Sequence, residues 1–232
     1  MILAERERRE WDLADVIICA SEYVKKGIIE CGGPAEKCAV VPYGIELNPA
    51  DIDRSSRIPG PLRVLTVGAV GLRKGSPYVM QAAELLKGEA DFLMLGSHHA
   101  SPEAIKQLRM HVHAPGPVPR PTMPSHYAWA DVFLLPSLCE GSATSTYEAI
   151  FHGLPVICTP HTGSVIRDGL DGFIVPARSP ASIAERLRQL ASDPDLLASM
   201  SLSALKRSSE YTLSCYSKNL MHALVSAEII GY

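Results

Sequence analysis

The stretch "CEGSATSTYEAIFHGLPVI", residues 139–157, sets two carboxylates eight positions apart, Glu140 and Glu148. Small residues fill the space between them, and Gly153 and Pro155 lead into an apolar run. If a helix begins near Ser142 to Thr144, its first backbone N–H groups face whatever occupies the adjoining cleft. Gly141 then permits close backbone approach, while Ser142, Thr144 and Ser145 can cap the helix or hold phosphate oxygens. Glu140, just ahead of the helix, can accept hydrogen bonds from sugar hydroxyls. Glu148, about one turn inside the helix, can do the same for a ribose at about 6 Å along the axis. A capped helix with a surface glutamate explains the same residues without any ligand.

A second candidate lies in "VGAVGLRKGS", residues 67–76, where an apolar run ends in a glycine-bearing loop before a helical pattern. Glycines admit an anion close to backbone amides, and Arg73 and Lys74 add two cations, a set suited to a diphosphate. The spacing fits neither GxGxxG nor GxxxxGK[ST], and a solvated basic turn is the plain alternative. A third loop, "PGPVPRP" at 115–121, is stiffened by prolines; it can read a nucleobase edge or simply connect two elements. His111 with His113 and His98 with His99 form two pairs of possible metal ligands, but neither has a set of carboxylates nearby. Cys139 stands beside Glu140 with no neighbouring base in the sequence to activate it.

These loops need a framework. Short apolar runs ("ADVIICAS", "CAVVPYGIE", "LRVLTVG", "ADFLMLG", "HVHAPG", "DVFLLPS", "PVICTP", "GFIVPA") alternate with amphipathic segments along the chain. Strands that are apolar throughout and separated by helices predict an α/β fold with a parallel, doubly wound sheet covered on both faces. Such a sheet binds ligands at the carboxyl ends of its strands, near a topological switch point. Ser21 is placed to cap a helix over "SEYVKKGIIECGG" that glycines close, and Pro194 interrupts the helical patterns near the C-terminus. Residues 47–61, "LNPADIDRSSRIPGP", are proline-rich and non-periodic, which marks a linker.

The 232 residues are ample for a core, and 47% hydrophobic against 20% charged is a soluble globular balance. A net charge of −3 gives no reason to expect a nucleic-acid partner. The six cysteines form no CxxC pair and read as free thiols in a reducing compartment. No apolar run is long enough to span a bilayer, and "MILAERERREWDLAD" lacks the apolar core of a signal peptide, so a cytoplasmic location is expected.

"EGSATSTYEAIFHGLPVI" resembles the E-x7-E signature of retaining GT-B glycosyltransferases of the group 1, GT4-like family. "LRVLTVGAVGLRKGSPYVMQAAELL" resembles that family's first donor-domain strand, phosphate loop and helix. "ADVIICASEYVKKGIIECGGPAEKCAVVPYGIE" is similar to the end of its first domain and the crossover. "HYAWADVFLLPSLCEGSATSTYEA" and "GLPVICTPHTGSVIRDGLDGFIVP" continue in register, so the resemblance covers essentially the whole chain.

The resemblance implies a Rossmann-like donor domain at 62–210, preceded by a remnant of an N-terminal domain at 1–46 and the linker at 47–61, and followed by a C-terminal helix at 211–232. It implies a nucleotide-sugar donor, UDP- or GDP-linked, and retaining hexosyl transfer by front-face attack without a metal or other cofactor. Lys74 and Arg73 would hold the diphosphate, Glu148 the ribose, Glu140 the transferred sugar, and Val118 would lie beside the base. The backbone from Gly141 through Ser142, Ala143 and Thr144 to Ser145, together with Gly68, would contact sugar and phosphate. Many relatives carry arginine directly after the glycine matching Gly68; here Ala69 stands there, leaving Arg73 to supply that cation. The acceptor, a glycan or lipid-linked molecule, would bind a missing N-terminal domain that could also touch a membrane, so the chain alone is expected to be inactive. A non-catalytic nucleotide-sugar-binding module working with a partner, and a GT-B-like epimerase or phosphorylase relative, are the alternatives. No lysine stands in the sequence context a pyridoxal phosphorylase requires.

Overall fold

Side chains on successive strand residues point to opposite faces, so a strand apolar at every position must be covered on both sides. The computed structural model describes residues 2–46 and 60–229. It opens with helix α1 (Ile2–Leu13), strand β1 (Ile17–Cys19), helix α2 (Glu22–Glu30) and strand β2 (Cys38–Val40). The α1 helix is not among the elements expected from the sequence. Its charges, which argue against a signal peptide, also support a helix: Arg6 donates to Glu10 at 2.7 Å one turn on. Lys37 donates to the carbonyls of Trp11 and Asp12 at the helix C-terminus. Strands β1 and β2 pair in parallel, and Ser21 caps α2 by accepting from Val24 N–H at 3.2 Å. The linker expected at 47–61 falls almost entirely outside the described residues.

Strands β3 (Leu62–Val67), β4 (Ala90–Leu95), β5 (His113–Gly116), β6 (Val132–Leu135), β7 (Val156–Cys158) and β8 (Gly172–Ile174) form one parallel sheet in the order β5-β4-β3-β6-β7-β8. Strand β5 starts at His113, two residues later than "HVHAPG" implied. Helices α3 (Ser76–Leu85), α4 (Pro102–Leu108), α5 (Met123–Trp129), α6 (Thr144–Phe151), α7 (Pro180–Ser192) and α8 (Pro194–Ser208) connect and cover it. Pro194 is the first residue of α8, where a missing N–H costs nothing, and Asp193 caps that helix through Leu196 N–H.

The alternation is visible in the packing. Val64, Phe92, Met94, Val132, Leu134 and Ile157 point into one core, shared with α3, α4 and α7. Leu65, Leu93, Leu95, Phe133, Leu135 and Val156 point into the other, shared with α5 and α6. Each large side chain fully buried this way contributes about 1.5–3 kcal/mol, so the two layers hold the strand ends rigidly. Helix α9 (Leu213–Ser226) returns beside the first segment, where Ile45 N–H donates to Tyr211 O at 3.0 Å. Among the described residues, no helix is long and apolar enough to cross a membrane.

The sheet order places the switch point between β3 and β6: the chain moves outward to β4 and β5, then returns to the other side of β3. The loops leaving β3 and β6 therefore meet. Gly75, which caps α3 with φ 75°, lies so close to the Pro136 carbonyl that an added Cβ would overlap it. Leu138 N–H donates to Arg73 O at 2.8 Å across the same seam. Gly88 has a similar φ of 83° but open space around it. Gly88→Ala should therefore cost only the left-handed strain, about 1–3 kcal/mol, while Gly75→Ala should cost clearly more. Equal losses in chemical denaturation would show that the two loops are not tightly apposed.

Candidate functional site

Where the two loops meet, the charged residues singled out by the sequence converge. A Glu140 carboxylate oxygen lies 2.9 Å from Lys74 Nζ and 2.7 Å from the Arg73 guanidinium. The three do not share one environment. The Glu140 and Lys74 side chains are only 9% and 13% exposed, whereas Arg73 is 59% exposed. Solvent screens the Arg73 contact to within about 1 kcal/mol, so Lys74 is the cation that matters energetically. Gly68 lets the lysine lie across the loop, because a Cβ there would come within 3.0 Å of Lys74 Cε. The sequence assigned the cations to a diphosphate and Glu140 to a sugar; the structure brings all three together.

Helix α6 begins at Thr144 with Ala143 as its N-cap and no side-chain cap. Ser142 does not cap it: its hydroxyl donates to Gly163 O at 3.0 Å and bonds the Tyr147 hydroxyl at 2.7 Å. Burial is the first cause pushing that tyrosine up to about 12. Thr146 turns back onto the Ala143 carbonyl. The start of α6 is thus left to whatever binds beside Glu140, with the positive end of the helix dipole behind it. Ser137 Oγ, fully buried where β6 ends, has no hydrogen-bond partner among the described residues.

Ser21, singled out in the sequence only as a helix cap, and residues it did not single out hold this loop. Ser21 Oγ donates to Gly141 O while capping α2, so the first segment is tied to the glutamate loop. Glu140 N–H donates to His161 O at 2.9 Å and Ala143 N–H to Thr162 O at 3.2 Å. Thr162 Oγ1 donates to Leu135 O at 3.0 Å, and Thr159 Oγ1 donates to Ser137 O. The signal available was "TPHTG", a capping-box spacing ending in a glycine at φ 61°.

Glu148 is the fifth residue of α6, half-buried, and its carboxylate accepts from the Tyr127 hydroxyl at 2.6 Å. Burial, and then the charge of Glu148, push that hydroxyl far above the ordinary tyrosine range, so it remains a donor. Val118, in the loop after β5, is half-buried against the core that contains Tyr127. Cys139 is exposed, and burial raises the nearby Tyr23 hydroxyl, with Cys139 adding to the shift. Among the described residues no three His, Cys, Asp or Glu side chains converge as metal ligands.

With this geometry in view, the comparisons are specific. A sequence model described as "Glycosyl transferases group 1" matches residues 61–193. The chain is 28% identical over 198 residues to the amylovoran biosynthesis glycosyltransferase AmsK of Erwinia amylovora, covering 77% of this chain and 49% of that protein. It is 27% identical over 206 residues to the D-inositol 3-phosphate glycosyltransferase of Xylanimonas cellulosilytica, covering 78% and 49%. The chain thus spans about half the length of the curated relatives it matches. The structure of Anabaena Alr3699/HepE in complex with UDP and glucose superposes with a TM-score of 0.80 at 18% identity, covering 97% of this chain and 66% of that one.

Inorganic pyrophosphate probes whether Lys74 and Arg73 hold an anion, as the sequence expects. Lys74→Ala should weaken its binding by roughly 1.5–3 kcal/mol, and Arg73→Ala by less than about 1 kcal/mol. Glu140→Gln removes the competing negative charge and should tighten it. Calorimetry of the three variants checks the order; weaker binding by Glu140→Gln would contradict it.

Proposed function

Given that the chain belongs to the group 1 glycosyltransferases and has the Rossmann-like fold of GT-B enzymes, we propose that its crevice binds a nucleoside diphospho-sugar for retaining hexosyl transfer. The observation that carries this reading is the meeting of Lys74, Arg73 and Glu140 in front of the uncapped start of α6. Glu140 is the counter-ion of the two cations. A donor diphosphate takes its place on Lys74, Arg73 and the first amides of α6, at Thr144 and Ser145. The freed Glu140 carboxylate then accepts from hydroxyls of the transferred sugar, with the Gly141–Ala143 backbone alongside. Glu148 accepts from the ribose, and Val118 borders the base. On this reading residues 62–210 form the donor-binding unit. The UDP and glucose of the Anabaena complex support a uridine probe, and GDP is the second.

The chemistry follows from where charge develops. As the bond from the anomeric carbon to the β-phosphate oxygen breaks, negative charge collects on that oxygen. Lys74, Arg73 and the α6 amides are fixed beforehand to receive it, which is the most effective form of electrostatic catalysis. The acceptor hydroxyl attacks the anomeric carbon from the face the phosphate is leaving and passes its proton to the departing phosphate oxygen. Configuration is retained, and no divalent ion is required by this donor set.

Calorimetry with UDP and GDP, with and without chelator, tests the reading. Binding of one nucleotide should survive chelation. Glu148→Ala should weaken that nucleotide by roughly 1.5–3 kcal/mol and leave pyrophosphate, which has no ribose, unaffected. Loss of binding on chelation, or equal damage to both ligands, would overturn the assignment.

A further inference from the structure

We propose that Tyr127 is a positioning residue that fixes the Glu148 carboxylate for a vicinal ribose diol and so sets discrimination against 2′-deoxynucleotides. The inference rests on the donor-site reading above. Tyr127 lies on α5, the helix that follows the loop after β5, and its side chain is 1% exposed. A ring so buried needs no hydroxyl to fill space, and a buried hydroxyl without a partner is costly. Here the hydroxyl reaches across to α6 and donates to Glu148 Oε2 at 2.6 Å, the short distance of a charge-assisted bond.

The ring itself is held. It stacks on His152 with centroids 4.6 Å apart and planes 24° from parallel, and lies 6.2 Å from the Phe133 ring. His152 also grips Glu148 from the backbone side. Its Nδ1 lies 2.9 Å from the Glu148 carbonyl, which can only accept, so Nδ1 carries the proton. Main chain and carboxylate of one residue are thus fixed from two directions. A free glutamate would rotate about its terminal torsion, which is broad. With Oε2 tied to Tyr127, the carboxylate plane is set, and Oε1 together with the second acceptor position on Oε2 remain for two adjacent hydroxyls. A ligand lacking one of these hydroxyls leaves an oriented acceptor unmatched, which is how a polar site rejects an analogue.

The test measures dissociation constants for UDP, GDP and their 2′-deoxy forms by calorimetry, in wild type, Tyr127→Phe, Glu148→Ala and the double variant. Using the nucleotide that wild type binds, Tyr127→Phe should weaken the ribonucleotide by about tenfold. It should move the deoxy-to-ribo ratio toward that of Glu148→Ala, with pyrophosphate affinity unchanged. In the Glu148→Ala background, Tyr127→Phe should leave the ratio where it is, as expected for two residues acting as one unit. Tyr127→His, a smaller ring that keeps an N–H donor, provides a second variant if the Tyr127→Phe protein proves unstable, and should shift the ratio less than Glu148→Ala does. A wild-type-like ratio in Tyr127→Phe overturns the role of Tyr127 while leaving the donor site intact. A wild type that binds neither nucleotide overturns the donor reading and the Tyr127 role with it.

Discussion

A carboxylate that is 9% exposed can remain beside a nearly buried ammonium only if the pair is made well, and the Lys74–Glu140 pair is what the crevice is built around. Removing one member of a buried pair typically costs about 3–5 kcal/mol, because the other is left without compensation. On the proposed reading that sensitivity is put to use: an incoming diphosphate replaces Glu140 on Lys74, and sugar hydroxyls beside Glu140 supply the donors it loses. The same constraint explains the tight apposition of the loops. Gly75 against Pro136, and Leu138 N–H on Arg73 O, bring the lysine and the glutamate, far apart in the chain, within ion-pair distance.

Division of labour follows from the sheet order. Because β3 and β6 are neighbours at the switch point, the cations arrive from one strand end and the glutamates from the other. The third strand end, after β5, contributes Val118 and then α5, which carries Tyr127 to Glu148. Core packing on both faces fixes these three strand ends relative to one another, so the site needs few contacts of its own to be ordered. The first segment is drawn in as well, since Ser21 caps α2 and also bonds the Gly141 carbonyl.

Much of the framework was legible in the sequence because strand burial and helix caps are local properties. Apolar runs such as "LRVLTVG" and "DVFLLPS" became β3 and β6, and Ser21 and Pro194 stand where helix starts require them. The α1 helix escapes a reading that weighs its charges only against a signal peptide and not for i,i+4 pairing. Within the site, residue types at 73, 74, 140 and 148 could be picked out, yet their partners could not. Ser142 looked like a cap and is instead buried between Tyr147 and Gly163, an outcome decided by contacts 21 residues away. Tyr127 was not singled out at all; its bond to Glu148 spans two helices, and spacing along one segment carries no trace of it.

On the proposed reading, Glu140 exchanges Lys74 for sugar hydroxyls when the donor binds, and a crystal structure of the chain with an intact UDP- or GDP-sugar would show the exchange. Diphosphate oxygens should lie within hydrogen-bond distance of Lys74 Nζ and the Thr144 and Ser145 amides, with the Glu140 carboxylate moved onto the sugar. A donor bound with Glu140 still paired to Lys74, or with its diphosphate away from the start of α6, would contradict it.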